Sequence, residues 1–221
     1  MKINKLIKIL AYRSNRIRKL LTKAKEIRQH GHVKVVNKGY GKIKKNIIGD
    51  GNHISIGEES FIDNLSVRIR GNNNSLSIGS KCYIGKDCSI WLEGNDIQVI
   101  VGDKTSFTNR IHICAQEDGR KIIIGEDCMF SNSIIIRTSD SHPIYNAMTK
   151  ERINEPLDVI IENHVWIAPG SKVFKGAIIH EGAIIGSDSL VTKEIPASCL
   201  AVGHPAHVVK SNIIWTRETL F

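Results

Sequence analysis

The sequence predicts an all-β solenoid built from six-residue units, and three observations predict it. First, residues 161–196 divide into IENHVW, IAPGSK, VFKGAI, IHEGAI, IGSDSL and VTKEIP, each opening on Ile or Val and most carrying a small or β-branched residue at the fifth place. A helix repeats its apolar positions every three to four residues and an ordinary strand every two, so a strict period of six fits neither alone. It fits short strands joined by tight corners in a stack of coils. Second, a longer repeat runs upstream from about Ile47: GNHISIGEES, NSLSIGSKC, IQVIVGDKTS and RKIIIGEDC align on Gly57, Gly79, Gly102 and Gly125, at spacings of 22, 23 and 23. Third, a turn cluster precedes each segment, as in Gly49-Asp50-Gly51-Asn52 and Gly71-Asn72-Asn73-Asn74, and such clusters punctuate strands.

Three units make eighteen residues, so the upstream coils read as 18-residue turns with an excursion of four or five residues at one corner. The position equivalent to Gly125 in the next coil is Glu162, 37 residues on, which leaves about 14 residues beyond a 23-residue coil. Those residues must loop out, giving a protruding loop at about 137–160 that contains Asp140-Ser141-His142-Pro143-Ile144-Tyr145. An irregular segment of that length within a tight repeat is usually functional or disordered. After Pro196 the period fades, as in a terminal element. The expected organisation is a basic arm at 1–30, the solenoid at 31–202 and a tail or cap at 203–221.

Composition narrows the class. The chain has 221 residues and a net charge of +9, with no apolar run near the ~18–20 residues of a membrane span and no signal-peptide pattern. Its five cysteines are an odd number without C-x-x-C spacing. Cys82, Cys88 and Cys128 fall at the fifth place of IGSKCY, IGKDCS and IGEDCM, which predicts small buried hydrophobes with reduced thiols and hence a cytoplasmic protein. The charge is concentrated: residues 1–30 hold ten Lys/Arg against Glu26, and the remainder is balanced at 21 basic and 21 acidic residues. Ile3, Leu6, Ile7, Leu10, Ile17, Leu20, Leu21, Ala24 and Ile27 recur at roughly helical spacing in this arm, predicting one or two amphipathic helices. Such an arm suits two roles, peripheral contact with an anionic membrane at its inner face, or a cap on an open solenoid end. It lacks aromatic interleaving and any nucleic-acid motif, so no nucleic-acid partner is expected.

With the repeats, the S-D-S-H-P-I loop, I-E-N-H-V-W-I-A-P-G, V-T-K-E-I-P and A-V-G-H-P-A-H-V-V-K on the page, the chain resembles the hexapeptide-repeat acyltransferases. The likeness is to the branch of galactoside, xenobiotic and capsular-polysaccharide O-acetyltransferases and covers about residues 47–211. The resemblance implies a left-handed parallel β-helix, a homotrimer, acetyl-CoA as co-substrate and a glycan acceptor. Left-handed crossover departs from the usual rule, so handedness comes from the resemblance and not from spacing.

Moving an acetyl group from a thioester to a hydroxyl needs a base, donors for the developing oxyanion and a grip on the acyl carrier. His142 is the expected base, since imidazole titrates near neutrality and can take and return a proton. Asp140 either orients that imidazole, as a carboxylate does in a triad, or shapes an Asx turn. Trp166 matches the family position beside the thioester, where a backbone N–H would face the carbonyl and the indole would wall the acceptor pocket. Ala168, Pro169 and Ser187 match positions along the pantetheine arm. Thr192 and Lys193 match the carrier-binding pair, Lys193 as a point charge for phosphate, and Lys210 matches a further basic position. His207 stands where relatives carry Arg or Lys, which makes that contact pH-dependent or removes it. Asn109 and Glu117 align with positions that meet the sugar. No metal is expected: His204 and His207 have no third ligand in the sequence, and His112, His164 and His180 fall on separate coils.

The function these features imply is acetyl-CoA-dependent O-acetylation of a surface glycan, such as capsule, lipopolysaccharide or exopolysaccharide, or of its precursor, by direct attack with His142 as base. The alternatives on the same fold are an amino-sugar N-acetyltransferase and a xenobiotic acetyltransferase.

Overall fold

The computed structural model describes residues 33–220, and it is a β-solenoid of three faces with no helix among those residues. The first face stacks Val33–Asn37, Asn52–Ile56, Ser75–Ile78, Gln98–Val101, Lys121–Ile124, Val159–Ile161 and Ile178–Ile179, all in parallel. The second face runs from the first part of Phe61–Arg70 through Tyr83–Lys86, Ser106–Asn109, Met129–Asn132, Trp166–Ile167 and Ile184–Ile185 to Cys199–Val202. The third runs from the second part of Phe61–Arg70 through Ser89–Glu93, His112–Gln116, Ile135–Arg137 and Lys172–Val173 to Leu190–Val191. Two strands, Tyr40–Ile48 and Phe61–Arg70, each span both the second and third faces and pair with one another.

The six-residue period is visible as burial. The first residues of the six units (Ile161, Ile167, Val173, Ile179, Ile185, Val191) and the fifth (Val165, Ser171, Ala177, Ala183, Ser189, Ile195) are all buried. Side chains of equal register therefore stack into continuous inner rows. One is Ile62, Ile84, Phe107, Phe130, Ile167, Ile185 and Ala201 on the second face. Each buried Ile or Val in such a row stabilises the fold by about 1.5–3 kcal/mol relative to exposure.

The aligned glycines are required by close approach. A Cβ on Gly57 would lie 2.5 Å from the Gly79 carbonyl carbon, one on Gly102 2.5 Å from that of Gly125, and one on Gly125 2.7 Å from that of Glu162. Glu162 thus succeeds Gly125 in the stack, with the long loop inserted between them. The solenoid also starts earlier than its visible repeat: Val33–Asn37 pairs along its length with Asn52–Ile56. Among the described residues the first coil has a neighbour on one side only, and its strands Val33–Asn37 and Tyr40–Ile48 are largely exposed, so it shows little burial periodicity.

The five cysteines are buried and free, as their fifth-place positions lead one to expect for Cys82, Cys88 and Cys128. After Cys199–Val202 the chain reverses into the antiparallel strand His207–Ser211. The basic arm at 1–30 lies outside the described residues. No helix among the described residues is long and apolar enough to cross a membrane.

Candidate active site

The loop between Arg137 and Val159 leaves the edge between the third and first faces and carries His142 into solvent. Its exposed backbone is held by a small set of polar anchors. Ser141 sits in the left-handed region, φ 68°, uncommon for a residue other than glycine, and its N–H donates to Ser139 Oγ at 3.0 Å. Asn154, 8 % exposed, is the hub. Its Nδ2 donates to the His142 carbonyl (2.9 Å) and to Asp140 Oδ2 (2.8 Å), and its Oδ1 accepts from the Ile144 N–H (2.7 Å). Arg152 forks onto Glu117, 2.5 and 2.8 Å, a bidentate geometry that adds direction to charge. Lys175 Nζ reaches Asp140 Oδ2 at 2.6 Å and the Asn154 carbonyl at 3.2 Å.

These contacts decide several roles. The His142 imidazole has no hydrogen-bond partner among the described residues, so both nitrogens face solvent and any acceptor that arrives. The Asp140 carboxylate is bonded to Lys175 and Asn154 rather than to His142; the Lys175 ammonium, then Asn154, hold its carboxyl below the ordinary value. Glu117 bonds Arg152 and accepts from the Ser139 hydroxyl at 2.6 Å, and the Arg152 hydrogen bond lowers its pKa. Beside the loop lies a cavity of about 190 Å³ lined by Arg137, Ser139, Asp140, Phe174 and Lys175.

Trp166 stands elsewhere, on the second face. Its backbone N–H belongs to the ladder, donating to the Ala183 carbonyl at 3.0 Å. The indole Nε1–H, by contrast, is buried with no partner. A C-terminal strap lies over it. Trp215 packs tilted against Trp166 at 6.0 Å and stacks on His164 at 4.0 Å, and its Nε1 donates to the His164 carbonyl at 3.0 Å. Arg217 continues the strap, bonding Asp127 Oδ1 (2.7 Å), Ser106 Oγ (3.0 Å) and the Cys128 carbonyl (2.8 Å). Burial pushes the Asp127 carboxyl up, but Arg217 and His164 outweigh it and hold the pKa below its ordinary value.

The positions matched to the acyl carrier fall on two edges of the prism. Ala168 and Pro169 stack on Ser187 at the second-to-third edge, where the Asp188 N–H donates to the Pro169 carbonyl at 2.8 Å. Asn109 lies higher on that edge, in a cavity of about 560 Å³ shared with Tyr83, Lys86, Thr108 and Arg110. Thr192 and Lys193 are exposed at the third-to-first edge of the last coil, below the His142 loop, and His207 and Lys210 are exposed on the antiparallel strand. One chain therefore joins the His142 loop to Thr192 and Lys193 along one edge. It does not bring them together with Trp166 or with Ala168, Pro169 and Ser187.

Sequence reasoning missed Asn154, Arg152 and Lys175 as loop anchors, and Trp215 and Arg217 as the strap. The one signal for the first group was their place within or one coil below an inserted loop. Among the described residues no three His, Cys, Asp or Glu side chains gather as a metal set.

No protein-family model matches the chain. It is 36 % identical over 180 residues to the polysialic acid O-acetyltransferase of Neisseria meningitidis, covering 78 % of this chain and 79 % of that protein. With the polysialic acid O-acetyltransferase of Escherichia coli O1:K1 it shares 39 % identity over 84 residues, 38 % of this chain and 27 % of that longer protein. The fold superposes on the crystal structure of the polysialic acid-specific acetyltransferase NeuO with a TM-score of 0.73 at 30 % identity, covering 86 % of this chain and 91 % of that one. Burial in sixes, a histidine loop inserted between coils and this identity across most of both chains agree: the chain belongs to the hexapeptide-repeat O-acetyltransferase family, in the branch that contains the polysialic acid O-acetyltransferases.

Proposed function

We propose that this chain transfers acetyl from acetyl-CoA to a hydroxyl of an acidic capsular glycan, polysialic acid or a polymer of the same chemistry. The observation that carries the proposal is the exposed, unpartnered imidazole of His142 on a loop whose backbone is fixed by Asn154 on both sides of Pro143. A fixed backbone under a free base is what direct proton abstraction needs, because position is worth as much as basicity. His142 removes the hydroxyl proton as the sugar oxygen bonds to the thioester carbonyl carbon. The C–S bond then breaks, and the imidazolium returns its proton to the CoA thiolate, leaving an O-acetyl ester and free CoA. No Ser or Cys is required as an intermediate acyl carrier.

Lys193 and Lys210 are exposed and form no ion pair among the described residues, which suits both to the phosphates of CoA. Ala168, Pro169 and Ser187 offer a backbone ledge for pantetheine. Because these groups, Trp166 and His142 occupy different edges of one prism, a complete site draws on two neighbouring prisms. That need supports a homotrimer of left-handed coils with the site in the groove between subunits. Residues 1–30, as a basic amphipathic arm ahead of the 31–202 solenoid and the 203–221 tail, cap the stack or hold the enzyme at an anionic membrane; sedimentation with anionic vesicles, with and without the arm, separates these roles.

The test is thiol release from acetyl-CoA by the purified chain with and without polysialic acid, with the product treated in mild alkali and weighed. Polymer-dependent release of thiol and an alkali-labile acetyl support the proposal. An alkali-stable acetyl would mean an amine acceptor, and failure to bind acetyl-CoA would contradict the proposed donor.

A further inference from the structure

The outer surface of the third face carries a row of side chains in direct register: Arg68 opposite Trp91, Trp91 opposite Cys114, and Cys114 opposite Arg137. Neighbouring coils are ~4.8 Å apart, so the row is about 14 Å long. It ends at the loop, since Arg137 Nη2 donates to Ser141 Oγ at 2.5 Å, one residue before His142.

Arg137 is an unusual cation. Its Nη2 bonds Ser141 and Gln116 Oε1, the latter at 3.1 Å, and both are neutral. Its Nε is buried with no partner, and it forms no ion pair among the described residues. Buried polar atoms without partners call for explanation. The other cation lining the 190 Å³ cavity, Lys175, is neutralised by Asp140. The cavity beside the expected base therefore presents one guanidinium in no ion pair among the described residues; it acts on the Asp140 carboxylate only at longer range, behind Lys175, and guanidinium is shaped to take a carboxylate. Further along the row the Arg68 guanidinium, paired with Glu93 at 3.1 Å, lies 4.8 Å over the Trp91 ring, so the cation and the half-buried indole together form a polar and aromatic ledge in line with Arg137.

We propose that Arg137 is a carboxylate-binding subsite for the acceptor, and that the Arg68–Trp91 pair receives the continuing polymer. This rests on the acetyl-transfer function above and deepens it by naming the residues that hold the acidic acceptor: a carboxylate beside the reacting hydroxyl on Arg137, and a chain long enough to reach along the third face. The site then selects acidic glycans over neutral ones by charge at the reacting end and by stacking further along.

The experiment compares wild type, Arg137→Met and Arg137→Lys on polysialic acid and on the same polymer with its carboxyl groups reduced to alcohols. Thermal unfolding accompanies each variant. Wild type should favour the native polymer, and Arg137→Met should raise its KM about tenfold or more, the scale of a lost charged hydrogen bond. On the reduced polymer the rise should be much smaller, so the ratio of kcat/KM between native and reduced polymer should fall about tenfold, while KM for acetyl-CoA stays near the wild-type value. Arg137→Lys, which keeps charge without the fork, should fall between and covers the case in which Met disturbs folding. An unchanged preference for the carboxylated polymer in Arg137→Met overturns the subsite, as does an equal loss on both polymers. If wild type turns over neither polymer, titration of native polymer against wild type and Arg137→Met tests the subsite alone. Binding that Arg137→Met loses supports it while the acetyl-transfer function fails; equal binding, or none to wild type, overturns it.

Discussion

Asn154 grips the backbone of His142: its Nδ2 donates to the His142 carbonyl at 2.9 Å while its Oδ1 accepts from the Ile144 N–H at 2.7 Å. The buried amide thus spans Pro143, which has no N–H to offer. It fixes the chain on either side of an exposed side chain that makes no hydrogen bond or ion pair among the described residues. Rigidity resides in the loop backbone and freedom in the imidazole.

Asn154→Ala is therefore expected to lower kcat by about 10–100-fold, the cost of a base displaced by roughly an ångström, with KM for acetyl-CoA unchanged. Steady-state kinetics checks this. A variant that loses carrier affinity in proportion to kcat would show a general disturbance instead.

The Arg152–Glu117 fork ties the far strand of the loop to the coil above. Arg152→Met should speed proteolytic cleavage within the exposed stretch 140–151. The fork also sets a pH limit. Glu117 has a lowered folded pKa, so its contribution is fully present above the unfolded carboxylate value of about 4.3 and is lost as pH falls through the folded value. Protease resistance of the loop should hold from neutral pH down through that range and collapse below it. Glu117→Gln should show a smaller step, the remainder belonging to Asp140, whose carboxyl is also held below its ordinary value.

His180 behaves with the opposite sign. It lies between Glu194 (2.8 Å) and Glu162 (3.0 Å), and the hydrogen bond it donates to Glu194, then that to Glu162, raises its pKa. Its contribution is complete below the unfolded histidine value of about 6.5 and is lost as pH rises through the folded value. The difference in Tm between wild type and His180→Gln should be larger at pH 6 than at pH 9.

Gly79→Ala tests the corner stack. The added methyl would meet the Asp103 N at 2.7 Å and the Gly102 carbonyl carbon at 2.9 Å, so the coils must part. A loss of about 1–3 kcal/mol, typical of overpacking, should appear as a lower urea midpoint.

The solenoid was legible because burial acts on every coil in the same way: Ile161, Val165 and their counterparts must point inward, and no tertiary partner can relax that demand. The loop was legible as an arithmetic excess between Gly125 and Glu162. What it does inside was not, because Asn154 and Arg152 are defined by partners 10 to 35 residues away and carry no local periodicity. The strap showed only as a fading repeat, since Trp215 and Arg217 meet residues 51 to 113 positions earlier. The Arg68–Trp91–Cys114–Arg137 row becomes visible only once the 22- and 23-residue coils are set in register. The contacts of Asp140 with Lys175 and of Glu117 with Arg152 were not legible, because an exposed carboxylate in a turn looks the same whether it anchors a loop or meets a ligand.

The most direct measurement is His142→Ala with two readings on one preparation: turnover of acetyl-CoA with polysialic acid, and the Kd for acetyl-CoA. Loss of turnover by at least about 10²-fold, the scale of general base catalysis, with Kd and Tm unchanged, is the expected result. Turnover retained at the wild-type rate would contradict the assignment of His142 as the base and the direct attack built on it.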